Sequence, residues 1–479
     1  MKKSKRLDLN SRRYVKKMKY AKKIWAAGLL SASILAMPFM AEHTEAATVN
    51  VLQYGAKAND NALDTPAIQK AIDAAASAGG GIVDIPAGTF DLAVNSSGNG
   101  LMLKSNVHLR MDSGTVLKLK ANSLQNYRLL NVSNVQNVKI TGGTLIGDRA
   151  IHTGSGGEWG HGVHIMGSAS SIYVYGVTAK NFWGDGFTVE NNFETVKKVP
   201  NDVVIDRVTA DHNRRQGLSI VAGRNITVTN SLFKNTNGTL PSSGVDLERD
   251  PPYNLPLEGV SIRHNIMENN AGYGLMFAYA DGSRAEYNII RNNKMGGVLL
   301  GHSHGNTVAG NTIANNGGDV SESYYSNGVL INYGQNNAVH NNIISGSIKR
   351  GVYALNGVNG NKITANKLTS NQSVGIETYG GTGMTITNNH LSSNNGTTRI
   401  SNAAASTVSN NGSSVAFTAP AQTPGPIAAS TAPAGGASEQ RTASAVETAS
   451  TRLELKAALA ETDLSPTVKR AILLYRFSK

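Results

Sequence analysis

Gly162-Val163-His164-Ile165, Gly186-Phe187-Thr188-Val189, Gly217-Leu218-Ser219-Ile220, Gly244-Val245-Asp246-Leu247 and Gly274-Leu275-Met276-Phe277 repeat one pattern: glycine, an apolar residue, any residue, an apolar residue. Gly297-Val298, Gly328-Val329, Gly351-Val352 and Gly375-Ile376 continue it, and successive glycines lie 24, 31, 27, 30, 23, 31, 23 and 24 positions apart. Apolar residues at every second position mark a strand with one buried face. A period in the twenties means that each strand stacks on its equivalent in the next repeat, which is a solenoid. Val203-Val204-Ile205 and Ile226-Thr227-Val228 supply further strands between these. Asn269-Asn270, Asn292-Asn293 and Asn315-Asn316 supply turns, since Asn tolerates left-handed backbone and identical turns can stack their amides. Unequal intervals imply loops of unequal length. Leucine-rich horseshoes need a denser leucine pattern and propellers need longer blades. The reading is therefore all-β: a right-handed parallel β-helix solenoid with an N-terminal capping helix and a short helical C-terminal tail.

Composition agrees. Of 479 residues 51 are Gly and 16% are charged, which suits a turn-rich β protein. Residues 1–47 hold eleven of the basic and three of the acidic residues, so they carry eight of the net thirteen positive charges. The remainder is weakly basic, and nothing points to nucleic acid. Lys2 to Lys23 form a basic stretch, Ile24 to Met40 are apolar or small, and Thr44 to Ala47 offer a cleavage site, so 1–47 reads as a signal peptide. No later stretch is long enough to span a membrane. With no Cys, neither disulfides nor thiolate metal sites are available.

The expected domains are the signal peptide at 1–47, the β-helix at 48–411, an Ala/Ser/Thr/Pro-rich linker at 412–450 and the helical tail at 451–479. Asp64-Thr65-Pro66 followed by Ala67 to Ala76 reads as an N-capped helix over the first coil, stopped by Gly79-Gly80-Gly81. In the tail, Leu453, Leu455, Leu459, Val468, Ile472 and Leu473 would share an apolar face.

Tyr54-Gly55-Ala56-Lys57, Asp64-Thr65, Ile68-Gln69-Lys70-Ala71-Ile72, Gly79-Gly80-Gly81 and Pro86-Ala87-Gly88-Thr89-Phe90 together resemble the opening of the pectate lyase superfamily. Gly184-Asp185-Gly186 and Asp211-His212-Asn213-Arg214-Arg215-Gln216-Gly217 are similar to secreted bacterial members of that group. The resemblance spans roughly residues 49–410. It implies a secreted, polysaccharide-active protein, and it is specific for the fold rather than for one reaction.

If Val245 and Leu247 point inward, Asp246 and Glu248 point outward, as do His164, Thr188 and Ser219. One outer face then gathers His161, His164, Asp185, Arg214, Arg215, Asp246 and Glu248 as candidate catalytic groups. Trp159, Trp183, Glu190, Gln216, Arg249 and Tyr273 are candidate substrate contacts, with the aromatics as sugar-stacking platforms. Met276, Leu299 and Leu330 fall in the equivalent places further on, so the polar cluster is local. Asp246, Glu248 and Asp250 also have the oxygen chemistry for calcium, although no cofactor is required.

The favoured activity is a lyase that cleaves a uronate-bearing polysaccharide such as alginate or pectate by β-elimination. Arg214 and Arg215 would neutralise the substrate carboxylate, and His161, His164 or Tyr273 would move the proton. An epimerase would share the first step. A polygalacturonase-like hydrolase would need two of the carboxylates, and the spacing of Asp246 and Glu248 allows that, but the Asn-Thr-Asp-Gly motif of those enzymes is absent. A non-catalytic glycan-binding surface protein is the remaining alternative. The expected partner is an extracellular acidic polysaccharide, with the protein a monomer.

Overall fold

The computed structural model of the protein describes residues 47–191, 198–249, 255–318, 325–396, 399–401 and 405–420. The signal-peptide stretch up to residue 46, most of the linker and the helical tail lie outside the described residues. Among the described residues three parallel sheets, of 15, 12 and 12 strands, run the length of the molecule from Thr48 to Ser409. Each strand pairs with its counterpart one coil earlier and one coil later, as Val163 pairs with Phe187 and Phe187 with Leu218. No helix among them is long and apolar enough to cross a membrane.

Alternation fills the core as the sequence pattern requires. Val163, Ile165, Phe187, Val189, Leu218, Ile220, Val245 and Leu247 are all buried and belong to one continuous apolar cluster. The glycine before each of these strands marks a corner. A Cβ on Gly274, Gly297 or Gly328 would lie 2.3–2.5 Å from Ile290, Ile313 or Ile344, or from the carbonyl of the next glycine, so a side chain has no room there.

The paired asparagines divide their labour. Asn269, Asn292 and Asn315 take positive φ, from 54° to 57°, and turn the chain. Asn270, Asn293 and Asn316 point inward, and each amide Nδ2 donates to the Oδ1 one coil on, at 2.9 Å in both steps. A second column runs from Asn265 through Asn288, Asn311, Asn342, Asn366 and Asn389 to Asn411. Each rung also donates to a backbone carbonyl, so these buried amides are well satisfied.

The predicted helix forms at Thr65–Ser77, with proline in its first turn, and buries Ile68, Ala71, Ile72 and Ala75. Its expected N-cap is not used as one. Asp64 makes no capping hydrogen bond; its carboxylate accepts instead from the backbone N–H groups of Lys57 (2.8 Å) and Asp91 (3.1 Å), tying the preceding loop to the next coil. The three longest glycine intervals contain 192–197, 250–254 and 319–324, which lie outside the described residues.

Candidate functional site

The site lies on the outer face of the 12-stranded sheet that carries the glycine motif. Register gives the row directly: Asn131, His164, Thr188, Ser219, Asp246, Met276, Leu299, Leu330 and Tyr353 are successive neighbours. The expected switch from polar to apolar at Met276 is therefore present. The expectation of an open, solvated face is not. His161 and His164 are each 2% exposed, Asp185 and Asp246 are 0%, and Glu248 is 6%. Trp159 and Glu190 are half-buried.

Asp185 is the hub. Its Oδ2 accepts from Arg215 Nη1 (2.8 Å), Ser219 Oγ (2.9 Å) and Thr188 Oγ1 (3.3 Å), and lies 3.6 Å from His161 Nδ1. Its buried Oδ1 meets no hydrogen-bond partner among the described residues. Burial pushes the Asp185 carboxyl up to about 6, against the downward pull of Arg215 and Ser219. With Oδ2 saturated by donors, a proton on this acid resides on Oδ1. Arg215 is 4% exposed. Burial alone would depress its guanidinium, but Asp185, Glu158, Glu248 and Asp246 together hold it above its ordinary range. Its second arm lies 3.9 Å from Glu248. Gln216 fixes Asp246 by donating to Oδ2 (2.7 Å) while accepting from the Ser243 N–H (2.8 Å).

The two histidines carry the same tautomer but leave opposite ring nitrogens to the site. His161 Nδ1 accepts the Asp185 backbone N–H at 3.4 Å, so in the neutral ring the proton sits on Nε2. Burial, with the charges of His164, Arg215 and Arg128, holds His161 well below its ordinary pKa, hence neutral. His164 Nε2 lies 2.7 Å from Glu190 Oε1, which places the proton on Nε2 and a lone pair on Nδ1. That Nδ1 is buried with no partner among the described residues. The ring centroids are 5.1 Å apart.

Other expected contacts are turned elsewhere. Arg214 and Arg215 do not act as a pair, because the bend between the strands Thr209–Asp211 and Leu218–Ile220 sends them to different partners. Arg214 lies over the Trp183 ring at 3.8 Å and donates to the Gly157 carbonyl at 3.0 Å. His152 stacks on the same ring at 4.1 Å. Two planar groups so close to one ring centre occupy its two faces, so Trp183 is a wall rather than a platform for sugar. Its indole N–H donates to the Gly157 carbonyl at 3.1 Å. Tyr273 is 2% exposed and packs with Met276, Leu299, Leu330 and Leu355. Arg249 leaves the cluster to bind Asp281 at 2.7 Å. Asp250 lies outside the described residues, and among those described no three His, Asp or Glu side chains converge as a metal site.

Sequence reasoning missed Arg128, Asn131 and Glu158, which lie outside the glycine motif, and the buried trio Asp148, His152 and Tyr127. Asp148 accepts from His152 Nδ1 (2.7 Å), from Asn122 Nδ2 (2.8 Å) and from the Tyr127 hydroxyl, and so anchors the loop that carries Glu158 and Trp159. The same alternation that found His164, applied one coil earlier to Leu130 and Val132, would have placed Asn131 beside it.

Fold and site together define a right-handed parallel β-helix protein with a buried histidine–carboxylate cluster on one outer face. The family model described as "Periplasmic copper-binding protein (NosD)" matches residues 92–323 and 249–415, and the chain belongs to that family. The uncharacterized protein YclG of Bacillus subtilis is 28% identical over 260 residues, 48% of this chain and 44% of YclG. Mannuronan C5-epimerase AlgE1 of Azotobacter vinelandii is 28% identical over 252 residues, 46% of this chain and 18% of the epimerase. The matches thus span less than half the length of these curated relatives. Among solved structures, the A-module of mannuronan C-5 epimerase AlgE6 from Azotobacter vinelandii superposes with a TM-score of 0.51 at 19% identity, covering 78% of this chain and all of that module. That likeness speaks for the fold alone.

Proposed function

We propose that this protein is an extracellular enzyme that takes the C5 proton from a uronate residue of an acidic polysaccharide and cleaves the chain by β-elimination. The observation that carries the reading is the pair of buried histidines, one offering an Nε2–H donor and the other an Nδ1 lone pair. His164, oriented by Glu190, takes the C5 proton on Nδ1. The C5–H electrons form the C4–C5 double bond, the C4–O bond breaks, and the leaving oxygen, which accepts a hydrogen bond from His161 Nε2–H, takes its proton from water, while His164 later returns the C5 proton to the solvent. Protonated Asp185 donates from Oδ1 to the substrate carboxylate and favours the enolate-like charge that develops there. Arg215, Asp246, Glu248 and Gln216 hold this arrangement rigid.

C5 epimerisation is the second reading. It shares the first step and is favoured by the match to AlgE1. The copper of the family description does not fit the donors described: the chain has no Cys, no three candidate ligands converge, and one nitrogen of each site histidine is already engaged. No step is routed through a metal.

The test is incubation of the purified protein with alginate and with pectate in deuterated water. A rise in ultraviolet absorbance with new reducing ends is the expected result. Deuterium at C5 without either signal establishes the epimerase. New reducing ends without absorbance mean hydrolysis and refute the proton-abstraction reading.

A further inference from the structure

The reading above needs a cation for the substrate carboxylate, and neither arginine of the Arg214-Arg215 pair is available. Arg215 is boxed in by carboxylates, bonded to Asp185 and Ser219 and facing Glu248. Arg214 is committed to Trp183 and to backbone carbonyls.

One coil nearer the N-terminus the situation reverses. Arg128 is the register partner of His161, and Asn131 that of His164. Coils lie about 4.8 Å apart, so both face the histidine pair at the distance of one strand. Arg128 Nε is buried without a partner, and the guanidinium makes one long contact, 3.5 Å from the Ser97 carbonyl. It forms no ion pair among the described residues. Asn131 is 8% exposed, donates from Nδ2 to Asn99 Oδ1 at 2.8 Å, and leaves its buried Oδ1 without a partner there. A half-buried guanidinium that Glu190 influences only through space, with no ion pair among the described residues, beside an under-bonded amide, is arranged for a planar oxyanion with a neighbouring hydroxyl. Guanidinium matches a carboxylate with two parallel N–H donors, and the Asn131 oxygen can accept from a sugar O–H.

We infer that Arg128 and Asn131 form the uronate subsite, Arg128 taking the sugar carboxylate and Asn131 an adjacent hydroxyl. This inference rests on the proposed proton abstraction, and it assigns substrate specificity to a coil that lacks the glycine motif. The subsite selects uronates over neutral sugars because an unfilled Arg128 stays half-desolvated with no carboxylate bonded to it.

The test uses the full chain, with hexamers of mannuronate and of galacturonate and their carboxyl-reduced counterparts as probes. Binding is read by calorimetry in a His164→Gln background, which removes turnover, and kcat/KM is read in the otherwise wild-type protein. Arg128→Ala is expected to weaken acid-hexamer binding and to lower kcat/KM about 10²–10³-fold, with Arg128→Lys recovering part of both. Binding of the reduced hexamers should be weak and unchanged by either substitution. Equal kcat/KM in wild type and Arg128→Ala overturns the inference while leaving the proposed reaction standing. Binding lost on Arg128→Ala in a protein that never turns a uronate over supports the subsite and overturns the reaction. Equal losses on acidic and reduced hexamers make Arg128 structural and overturn the subsite. Failure of the parent protein to bind either acid hexamer overturns both. If Arg128→Ala does not fold, Arg128→Lys and Asn131→Leu carry the same comparison.

Discussion

The coils that follow Tyr273 and those between Asn126 and Glu248 are built on the same glycine corners and the same apolar interior, yet they treat polarity in opposite ways. Beyond Tyr273 the polar groups are drawn inside, as asparagine columns, and the outer row turns apolar at Met276, Leu299 and Leu330. Before it, the inner turn position passes through Phe182, Asn213 and Thr236 without a continuous column, and the outer row is polar and charged. In the first half polar groups face one another across a functional surface. In the second they face along the rod and hold it together. Regularity and the candidate site thus occupy different coils, and the proposed chemistry lies in one set while the regular repeat runs through the other.

Four substitutions test that division. His164→Gln keeps a hydrogen-bonding side chain but cannot take a proton at neutral pH. Turnover on the best uronate should fall about 10²–10⁴-fold, with little change in melting temperature. A variant with wild-type turnover breaks the assignment of chemistry to the first half.

Arg215→Met should act on stability as well as on activity. Removing one member of a buried charge network leaves Asp185 and Glu248 uncompensated and costs about 3–5 kcal/mol. Urea unfolding that matches wild type would mean that the site half is not held by its charges.

Asp185 links the site to pH. Its folded pKa of about 6 lies above the ordinary value of 3.8, so between those values the folded state holds more protons than the unfolded state. The contribution of this group is therefore fully present at low pH and is lost as pH rises toward 6, about 3 kcal/mol in all. Activity that needs the protonated acid should fall through the same window. Asp185→Asn should flatten stability against pH between about 4 and 6, as read by denaturant titration at several pH values. An unchanged profile would separate Asp185 from both effects.

The smallest effect is expected in the second half. Asn293→Ala removes the acceptor of the Asn270 backbone and side-chain N–H groups and the donor to the Met267 carbonyl, and should cost about 1–3 kcal/mol, with kcat unchanged below the melting transition. A drop in kcat at full folding would show that the two halves are coupled.

The solenoid could be read from the chain because its repeat is local: glycine at the corner, apolar residues in alternation and Asn pairs at the turns each follow from one short stretch. The outer row from His164 to Leu330 was legible for the same reason. Burial of that row was not, since strand alternation says which way a side chain points and nothing about what lies over it. The divergence of Arg214 from Arg215 was not legible, because they sit in a bend between strands where alternation does not apply and adjacent charges suggest a pair. Trp183 was misread because its neighbours, His152 and the Gly157 carbonyl, come from a loop about 30 residues earlier whose path no repeat predicts. Arg128 and Asn131 were passed over because Asn126–Ser133 carries Leu129 where later coils carry the motif glycine. Asp64 shows a further limit: a good capping residue was claimed by the neighbouring coil.

The asparagine columns have a direction. At every step from Asn265 to Asn411 the Oδ1 accepts from the coil before and the Nδ2 donates to the coil after. Side-chain amides wired head to tail polarise one another in the same sense, much as peptide dipoles do along a helix. The solenoid therefore has an electrical polarity of its own, its oxygen end toward the coils of the candidate site and its N–H end toward Asn411. At the last rung, Asn411, whose Nδ2 donates to the Ile386 carbonyl, the amide has a second N–H to offer, so a segment that seals this end does best to bring an acceptor to it.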